Sequence, residues 1–560
     1  AWWGAVGDNT TDDYSAFTAS NNSDGIHQIV RGYKLTGSVA PTLTLDSVHL
    51  VDNGFINNNI ISLTINACSS TEEAYNNFRA TSGDFANYIF NFVGYAKWFF
   101  DTTCSDTQLS TLRTALTSKN LIWDRPTTYT LSPLVDNTEY FVNQVRFGTL
   151  LNFTSKINIG LIDAGQYKIF AETSLAPGYL NEKVLGAWFG VSKFSSNAVN
   201  EAGIKNAIEA SEDCTVDFGG GKVEVGTSVS ISANTDNVTI KNLFVEVSGS
   251  AVPALIFTNS SVEIIDSQIE GIETDATCNI SLNNCKMVFS NVAQGVTLLG
   301  VNVSVKNCEF GSSTWTGLLN VSGANRTIFD DNNIEGGYIE IYIGAVSSSN
   351  SISGNHFDKI KRIGTGTGVQ TYLKVTGGDR CIVNGNNFYA INNTSSIGIF
   401  NQLLFRGYNN TDIVDALVCT GNSFYAEMIN TPTIGAENYA NDGHNAIIYD
   451  NTASLIQGVP KATRVQFRGS TVGNASVTET ENGFIFPYHS SSFYPYFAGT
   501  SWALGDGSTG GTNILANVFG GEILTYTPSN GEASITYKFR ADNFEALNYM
   551  TIDINVEQLS

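Results

Sequence analysis

The chain has 560 residues, of which 14% are charged and 42% hydrophobic, and its net charge is −23 at pH 7. Asn, Ser, Thr and Gly stand where charged residues are usual, which disfavours long helices and favours short strands joined by turns. The acidity and the lack of Lys/Arg blocks argue against nucleic acid and anionic membranes as partners. No apolar run approaches the roughly 18–20 residues of a spanning helix, so membrane insertion is not expected.

The eight cysteines and five histidines form no pattern typical of a metal site. There is no C-x-x-C, H-x-H or H-E-x-x-H spacing, so neither a metal nor another cofactor is expected. Scattered cysteines in so long a chain favour free thiols in the core, and therefore synthesis in a reducing cytoplasm. The sequence opens abruptly at Ala1 without a signal peptide.

Two stretches before residue 232 share one predicted order of elements, an amphipathic helix followed by a strand, a turn and another strand. They are residues 106–131, with apolar Leu109 and Leu112 on one helix face, and residues 198–231, with Ile204 and Ile208. Residues 8–37 begin in a similar way. Short helices of this kind shield unpaired strand edges, so we expect caps at the ends of stacked strands.

From residue 238 onward, one short phrase recurs: a strand with alternating residues, a turn rich in Asn and Gly, and a closing apolar residue. The closing residues are predicted to be Phe244, Ile269, Met287, Phe310, Ile334, Phe357, Phe388 and Phe424. Their steps of 25, 18, 23, 24, 23, 31 and 36 residues fit the coils of a parallel β-helix better than unrelated hairpins. Cys285 and Cys308 fall two residues before their closing residues and are predicted to stack inward.

The last hundred residues lack the phrase and contain the aromatic cluster FIFPYHSSSFYPYF (484–497). They predict a separate β-sandwich-like domain that holds subunits together or binds carbohydrate, with Tyr488, Phe493, Tyr494 and Tyr496 as candidate contacts. The chain as a whole is thus predicted to be all-β, with short capping helices. Its expected parts are an N-terminal module (1–185), a main β-helix (186–460) and a C-terminal β domain (461–560).

The opening WWGAVGDNTTDD (2–13) resembles the W-F-G-A-x-G-D-G-x-T-D-D signature of pectate-lyase-like β-helices, bacteriophage tailspikes especially. Asn9 stands where Gly is usual. GAWFGVSKFSSN (186–197) is similar to a second, degraded copy, and the resemblance covers roughly residues 1–36 and 186–455. It implies a right-handed parallel β-helix in which the Asp12–Asp13 turn starts a cap helix, a role we favour over acid and base catalysis.

The same resemblance implies a tailspike, a homotrimer on the virion that binds or depolymerises a capsule, exopolysaccharide or O-antigen of a bacterium. The family signature usually follows a virion-attachment domain. We therefore expect contacts with other tail or baseplate proteins to be made by a domain that is missing here.

Residues on either side of each inward closing residue are expected to point outward and to stack about 4.8 Å apart. Glu335, Asp358, Tyr389 and Tyr425 follow closing residues, whereas Glu309 and His356 precede them. A second strip is predicted at Asn320, Glu340, Tyr342 and Lys374, with Glu340 over Lys374 as an ion pair. Carboxylates supply acid and nucleophile or base for glycoside cleavage, while aromatic rings stack on sugars.

We therefore expect an endo-glycosidase with Glu335 and Asp358 as the first catalytic candidates and Glu309 and Glu340 as the next. His356, Tyr389, Tyr425, Tyr342 and Lys374 are the candidate substrate-binding residues. Two alternatives remain open. One is a polysaccharide lyase that removes the C5 proton of a uronate with Lys374, His356 or Tyr389, and the other is a receptor-binding spike without catalysis.

Overall fold

The computed structural model shows a protein built almost entirely of short parallel β-strands. It describes residues 5–21, 26–36, 42–58, 61–79, 85–131, 142–153, 161–171, 183–211, 213–232, 237–249, 252–288, 295–312, 318–336, 340–343, 349–358, 370–376, 380–390, 400–406, 417–426, 433–437, 447–449, 455–457, 466–467, 486–487, 503–504, 514–518, 521–525 and 535–536. The chain divides into two compact units, residues 1–300 and 301–560.

Three of the four helices described in the first unit lie where the sequence predicts them, whereas Ala96–Phe99 was not predicted. The four helices are Tyr14–Asn21, Ala96–Phe99, Asp106–Ala115 and Asn197–Glu209, with a 3-10 turn at Gly186–Phe189. Asp106–Ala115 begins with a capping box, in which Ser105 Oγ accepts from Gln108 N at 3.2 Å and Gln108 Oε1 accepts from Ser105 N at 3.0 Å. Both predicted orders of helix, strand, turn and strand are confirmed.

Residues 8–163 form five small parallel sheets, an organisation that the sequence did not lead us to expect. The strands are, sheet by sheet, Asp8–Asp12, Gly32–Leu35, Phe55–Asn58 and Phe78–Arg79; His27–Ile29, Val48–Leu50 and Cys68–Ser70; Thr42–Leu45, Ser62–Ile65 and Tyr88–Phe90; Gly94–Tyr95, Asn120–Trp123, Val142–Val145 and Leu161–Asp163; and Thr103–Cys104, Thr128–Leu131 and Leu150–Phe153.

The register of these strands repeats every 19 to 27 residues. Gly32 pairs with Phe55, Thr42 with Ser62, and Val48 with Cys68. The signal was present in the sequence, because LTLDSV (43–48) and LTINAC (63–68) are two copies of one pattern at a spacing of 20. The repeat of parallel strands therefore begins with Asp8–Asp12, and not only after residue 186.

Residues 183–306 continue the pattern in three columns of parallel strands. The first column is Lys222–Val225, Phe244–Val247, Gln268–Ile269 and Lys286–Met287. The second begins with Lys183–Leu185 and Thr215–Asp217 and continues as Val238–Lys241, Ser261–Ile265 and Asn279–Asn283. The third is Val229–Ser232, Leu255–Thr258, Ile272–Thr274 and the start of Val296–Lys306.

One predicted closing residue in this part is wrong. Val245, not Phe244, pairs with Ile269, which in turn pairs with Met287. Val245 is 1% exposed, whereas Phe244 is only half-buried and pairs with Gln268. The alternation of the strand sends Phe244 outward, because neighbouring residues of a strand point to opposite faces.

The second unit repeats the same parallel pairing. One column is Glu309–Ser312, Asn333–Gly336, His356–Asp358, Asn387–Ala390 and Ser423–Ala426. The others consist of Leu318–Asp330, Glu340–Ile343, Ser349–Ser353, Gln370–Thr376, Arg380–Asn384, Phe400–Arg406, Leu417–Thr420, Thr433–Glu437, Ile447–Tyr449 and Leu455–Gln457. Phe310, Ile334 and Phe357 are fully buried and in register, as predicted.

A column of buried asparagines lies beside this core, at the turn before each closing residue. Asn332, Asn355, Asn386 and Asn422 are at most 1% exposed. Asn355 Oδ1 accepts a hydrogen bond from Asn332 N at 2.9 Å, and Asn386 Oδ1 likewise accepts one from Asn355 N at 3.0 Å. Each Nδ2 donates to a strand carbonyl, as Asn355 does to Phe329 O at 2.7 Å. The amides thereby satisfy backbone groups that burial would otherwise leave unpaired.

Buried thiols occupy the corresponding turn positions of other repeats. Cys285 and Cys308 are 2% and 1% exposed, in agreement with their predicted inward position. Together with Cys68, Cys104, Cys214 and Cys278, they form no disulfide bond among the described residues. None of the helices in the part of the chain that is described is long and apolar enough to cross a membrane.

Only short strand pairs are described beyond residue 460. Gln466–Phe467 pairs in parallel with Phe486–Pro487, whereas Ala503–Leu504 with Ile535–Thr536 and Ile514–Val518 with Gly521–Thr525 are antiparallel. The candidate aromatic contacts Tyr488, Phe493, Tyr494 and Tyr496 lie outside the described residues.

Candidate functional site

Consecutive strands of the second unit bring predicted site residues into register. Glu309 pairs with Asn333, and Asn333 pairs with His356. The row continues through Asn387 to Ser423. Glu309 and Asn333 are exposed and His356 is half-buried, so this row faces outward on the described strands.

The neighbouring row contains the two carboxylates expected to be catalytic. Gly311 pairs with Glu335 and Glu335 with Asp358, while Tyr389 pairs with Tyr425 two strands farther along. Glu335 is half-buried. The side chains of Asp358, Tyr389 and Tyr425 lie outside the described residues, but their strands are in register. Adjacent parallel strands lie about 4.8 Å apart, so the backbones of Glu335 and Asp358 are neighbours.

Turns of only a few residues hold these rows in place. Asp331 has a φ of 56° and Gly354 a φ of 67°, left-handed conformations that Asp and Gly tolerate. The following Asn332 and Asn355 point inward and are hydrogen-bonded to neighbouring strands. Glu335 and His356 therefore follow rigid turns at fixed distances, which is how a site is preorganised.

The second predicted strip differs in one respect from the expectation. Asn320 pairs with Tyr342 and Tyr342 with Lys374, whereas Glu340 pairs with Leu318. The predicted placement of Glu340 directly over Lys374 is wrong, because the two are out of register by two residues. The side chains of Glu340, Tyr342 and Lys374 lie outside the described residues.

The acidic pair near the N-terminus binds the backbone. Asp12 Oδ1 accepts from Tyr14 N at 3.1 Å and from Thr36 N at 3.0 Å, and Asp13 Oδ1 accepts from Val6 N at 2.7 Å. The structural role expected for this pair at the start of helix Tyr14–Asn21 is therefore confirmed. Asn9 has a φ of 58°, which explains why Gly is usual there and why Asn can replace it.

Sequence reasoning missed a further carboxylate beside the site. Asp330 is half-buried, and its Oδ1 accepts from Ser351 Oγ at 3.2 Å and from Ser353 N at 3.1 Å. Burial raises the pKa of Asp330 above its ordinary value of 3.8. The available signal was its position at the end of a strand, directly before the turn residue Asp331.

Nothing in the described part of the chain gathers three or more His, Cys, Asp or Glu side chains in an arrangement that could hold a metal ion. The arrangement instead offers carboxylates, an imidazole and amides on an outward sheet face. Such groups can exchange protons with a sugar and hydrogen-bond its hydroxyls. Compared with protein-family models, with curated proteins and with solved structures, the chain matches none.

Proposed function

We propose that the chain is a right-handed parallel β-helix of the tailspike type, which binds a bacterial surface polysaccharide and hydrolyses it. Three columns of parallel strands, short turns and inward-facing residue columns support the architecture. The sequence resemblance of residues 2–13 to tailspikes supports the functional class. Its capsule, exopolysaccharide or O-antigen substrate would lie along the outward rows of the second unit.

The observation that carries the catalytic proposal is the register of Glu335 with Asp358. Retaining glycosidases hold two carboxyl groups about 5–5.5 Å apart, and adjacent strands separate equivalent residues by about 4.8 Å. One carboxyl would protonate the leaving oxygen while the other attacks the anomeric carbon. Glu309 and Glu340 are the next candidates if one of the pair acts with a more distant partner.

The residues around the pair suit sugar recognition. Asn333 and His356 precede the closing residues that the carboxylates follow, so the outward face of each strand carries hydrogen-bonding groups beside the carboxylate. Tyr389 and Tyr425 pair in register on the next strands, and aromatic rings pack against the apolar faces of sugars. We assign these residues, with Tyr342 and Lys374, to substrate binding.

A lyase is the second candidate, supported by the register of Tyr342 with Lys374. A phenol and an amine on adjacent strands could remove the C5 proton of a uronate and return a proton to the leaving oxygen. A spike that binds the polysaccharide through the same rows without cleaving it is the third.

The proposed assembly follows from the tailspike class. We propose a homotrimer located on the virion, made in the host cytoplasm and joined to other tail or baseplate proteins by a further domain. Sedimentation that gives a stable monomer would contradict the trimer.

The test is amide substitution at the pair. Glu335→Gln and Asp358→Asn keep the shape of the side chains but remove the acid, so each should lower depolymerising activity by at least about 100-fold. Asp331→Asn is the matched control, because it removes an exposed carboxylate of the same unit in a left-handed turn that Asn tolerates. Near wild-type activity of both pair variants would overturn the assignment.

A further inference from the structure

Two phenylalanines of the first unit are far more exposed than other large apolar side chains of the described residues. Phe194 is 88% exposed and Phe147 is 80% exposed, and the next value is 69% at Ile26. A single exposed apolar residue needs no explanation. Here, however, each ring stands at the tip of a turn whose backbone is held by several hydrogen bonds.

The turn that carries Phe147 is anchored in the core. Gly148 has a φ of 87°, and Thr149 N donates to Arg146 O at 3.2 Å. The buried Thr149 hydroxyl lies 2.8 Å from Arg125 O and 3.2 Å from Trp123 O. The backbone of the turn that carries Phe147 is therefore held in place before any ligand arrives.

The turn that carries Phe194 is closed by serines. Ser192 Oγ lies 2.9 Å from Ser195 Oγ and accepts from Phe194 N at 3.2 Å. Ser195 Oγ also donates to Gly190 O at 2.7 Å. A turn whose backbone is already held in place loses little conformational freedom on binding, so both turns favour ligand contact over chance exposure.

Direct contacts connect the two turns. The Phe147 ring meets the Tyr167 ring edge-on, with centroids 5.6 Å apart. The adjacent Lys168 packs over Gly190, since a Cβ there would lie 3.1 Å from Lys168 Cδ. Lys193 Nζ lies 4.9 Å from the centre of the Phe194 ring. The following six residues constitute what we call the aromatic-basic strip: Arg146, Phe147, Tyr167, Lys168, Lys193 and Phe194.

The charge of the strip is opposite to that of the chain. The six residues of the strip include three basic ones and no acidic one, although Asp163 and Glu172 flank its central segment in the sequence and the whole chain has 52 acidic and 29 basic residues. Aromatic rings beside cations fit a ligand with apolar ring faces and negative groups. Nucleic acid would need a much larger basic surface.

We propose that the aromatic-basic strip is a second carbohydrate-binding surface, built from residues other than those of the Glu335 row, and that it binds an anionic sugar chain. The choice of a sugar rests on the proposed function, whereas the negative charge follows from the strip itself. A polymer bound there would contact the first unit through Phe147 and Phe194.

The test measures binding of the full chain to immobilised acidic and neutral bacterial capsular polysaccharides. Phe147→Ala/Phe194→Ala should weaken binding to the acidic polymers at least about fivefold, because each aromatic contact contributes roughly 0.5–1.5 kcal/mol and 1.4 kcal/mol is tenfold. Lys193→Ala should weaken it less and reduce its salt dependence. Ile26→Ala, which removes a comparably exposed apolar side chain, should bind as wild type.

Each other outcome contradicts a defined part of the proposal. Unchanged binding by the folded double variant, judged by its melting temperature, would overturn the strip but leave the proposed function standing. Equal wild-type binding to neutral polymers would overturn its preference for anions. Altered sedimentation of the double variant with unchanged binding would show a contact between copies instead. Absence of wild-type binding to every polymer would contradict the proposed function itself.

Discussion

Asn355 offers the sharpest test of how the turns of the second unit are held. The residue is fully buried, and its side chain donates to Phe329 O and Asn386 Oδ1 and accepts from Asn332 N and Nδ2. Asn355→Ala removes all four contacts. It leaves the backbone groups Asn332 N and Phe329 O buried without these partners, at about 1–3 kcal/mol each. With the cavity included, we expect a loss of about 3–6 kcal/mol.

The measurement is the melting temperature of the full chain. At about 2–4 °C per kcal/mol for a unit of this size, Asn355→Ala should melt at least about 6 °C below wild type. Asn355→Ser should lose about half as much, because Ser267 occupies the corresponding turn of its own repeat and accepts from Leu243 N at 3.1 Å. Ser353→Ala is the control in the same turn. A melting temperature of Asn355→Ala equal to that of the control would refute the reasoning.

Three further predictions follow from single contacts. Lys97→Met should lower the free energy of unfolding in urea by about 3 kcal/mol, because Lys97 Nζ lies 3.0 Å from the poorly exposed Asp124. Asp101→Asn breaks the exposed pair with Arg125 and should lower it by about 1 kcal/mol or less. Val245→Asn should lower the free energy of unfolding by about 3 kcal/mol and Phe244→Asn by about 1 kcal/mol or less, because only Val245 points inward. A larger loss for Phe244→Asn than for Val245→Asn would show that Phe244 is the inward residue. Burial raises the pKa of Asp330, so its ionised form opposes folding once the pH exceeds 3.8. The melting temperature of Asp330→Asn should therefore be higher than that of wild type at neutral pH, and the difference should vanish below pH 3.8. A difference that stays constant with pH would contradict the assignment.

The strand repeat of the second unit was predictable because the turn residues can be recognised in the sequence. An Asn or Asp at positive φ stands three residues before an inward residue, as Asp331 does before Ile334. The spacing of these turn residues predicted the register of Glu335 with Asp358. Short-range patterns suffice there, since turn chemistry and strand alternation are local properties.

Other features could not be read in the same way. Phe244 was placed inward as the apolar residue that closes its phrase, although the alternation of the strand turns it outward. The placement of Glu340 over Lys374 required the register of strands about thirty residues apart in the sequence, which spacing alone does not fix. The inward asparagines were interpreted as turn residues, because their burial depends on partners in neighbouring strands.

Cleavage of a bacterial polysaccharide by the full chain is the most direct test of the central claim. Purified capsules, exopolysaccharides and O-antigens would be incubated with the protein, and viscosity, new reducing ends and ultraviolet absorbance would be followed together. Hydrolysis predicts a fall in viscosity with new reducing ends and no unsaturated uronate, and loss of both signals in Glu335→Gln. A rise in absorbance would establish the lyase instead, and binding with no cleavage of any polymer would contradict an enzymatic role.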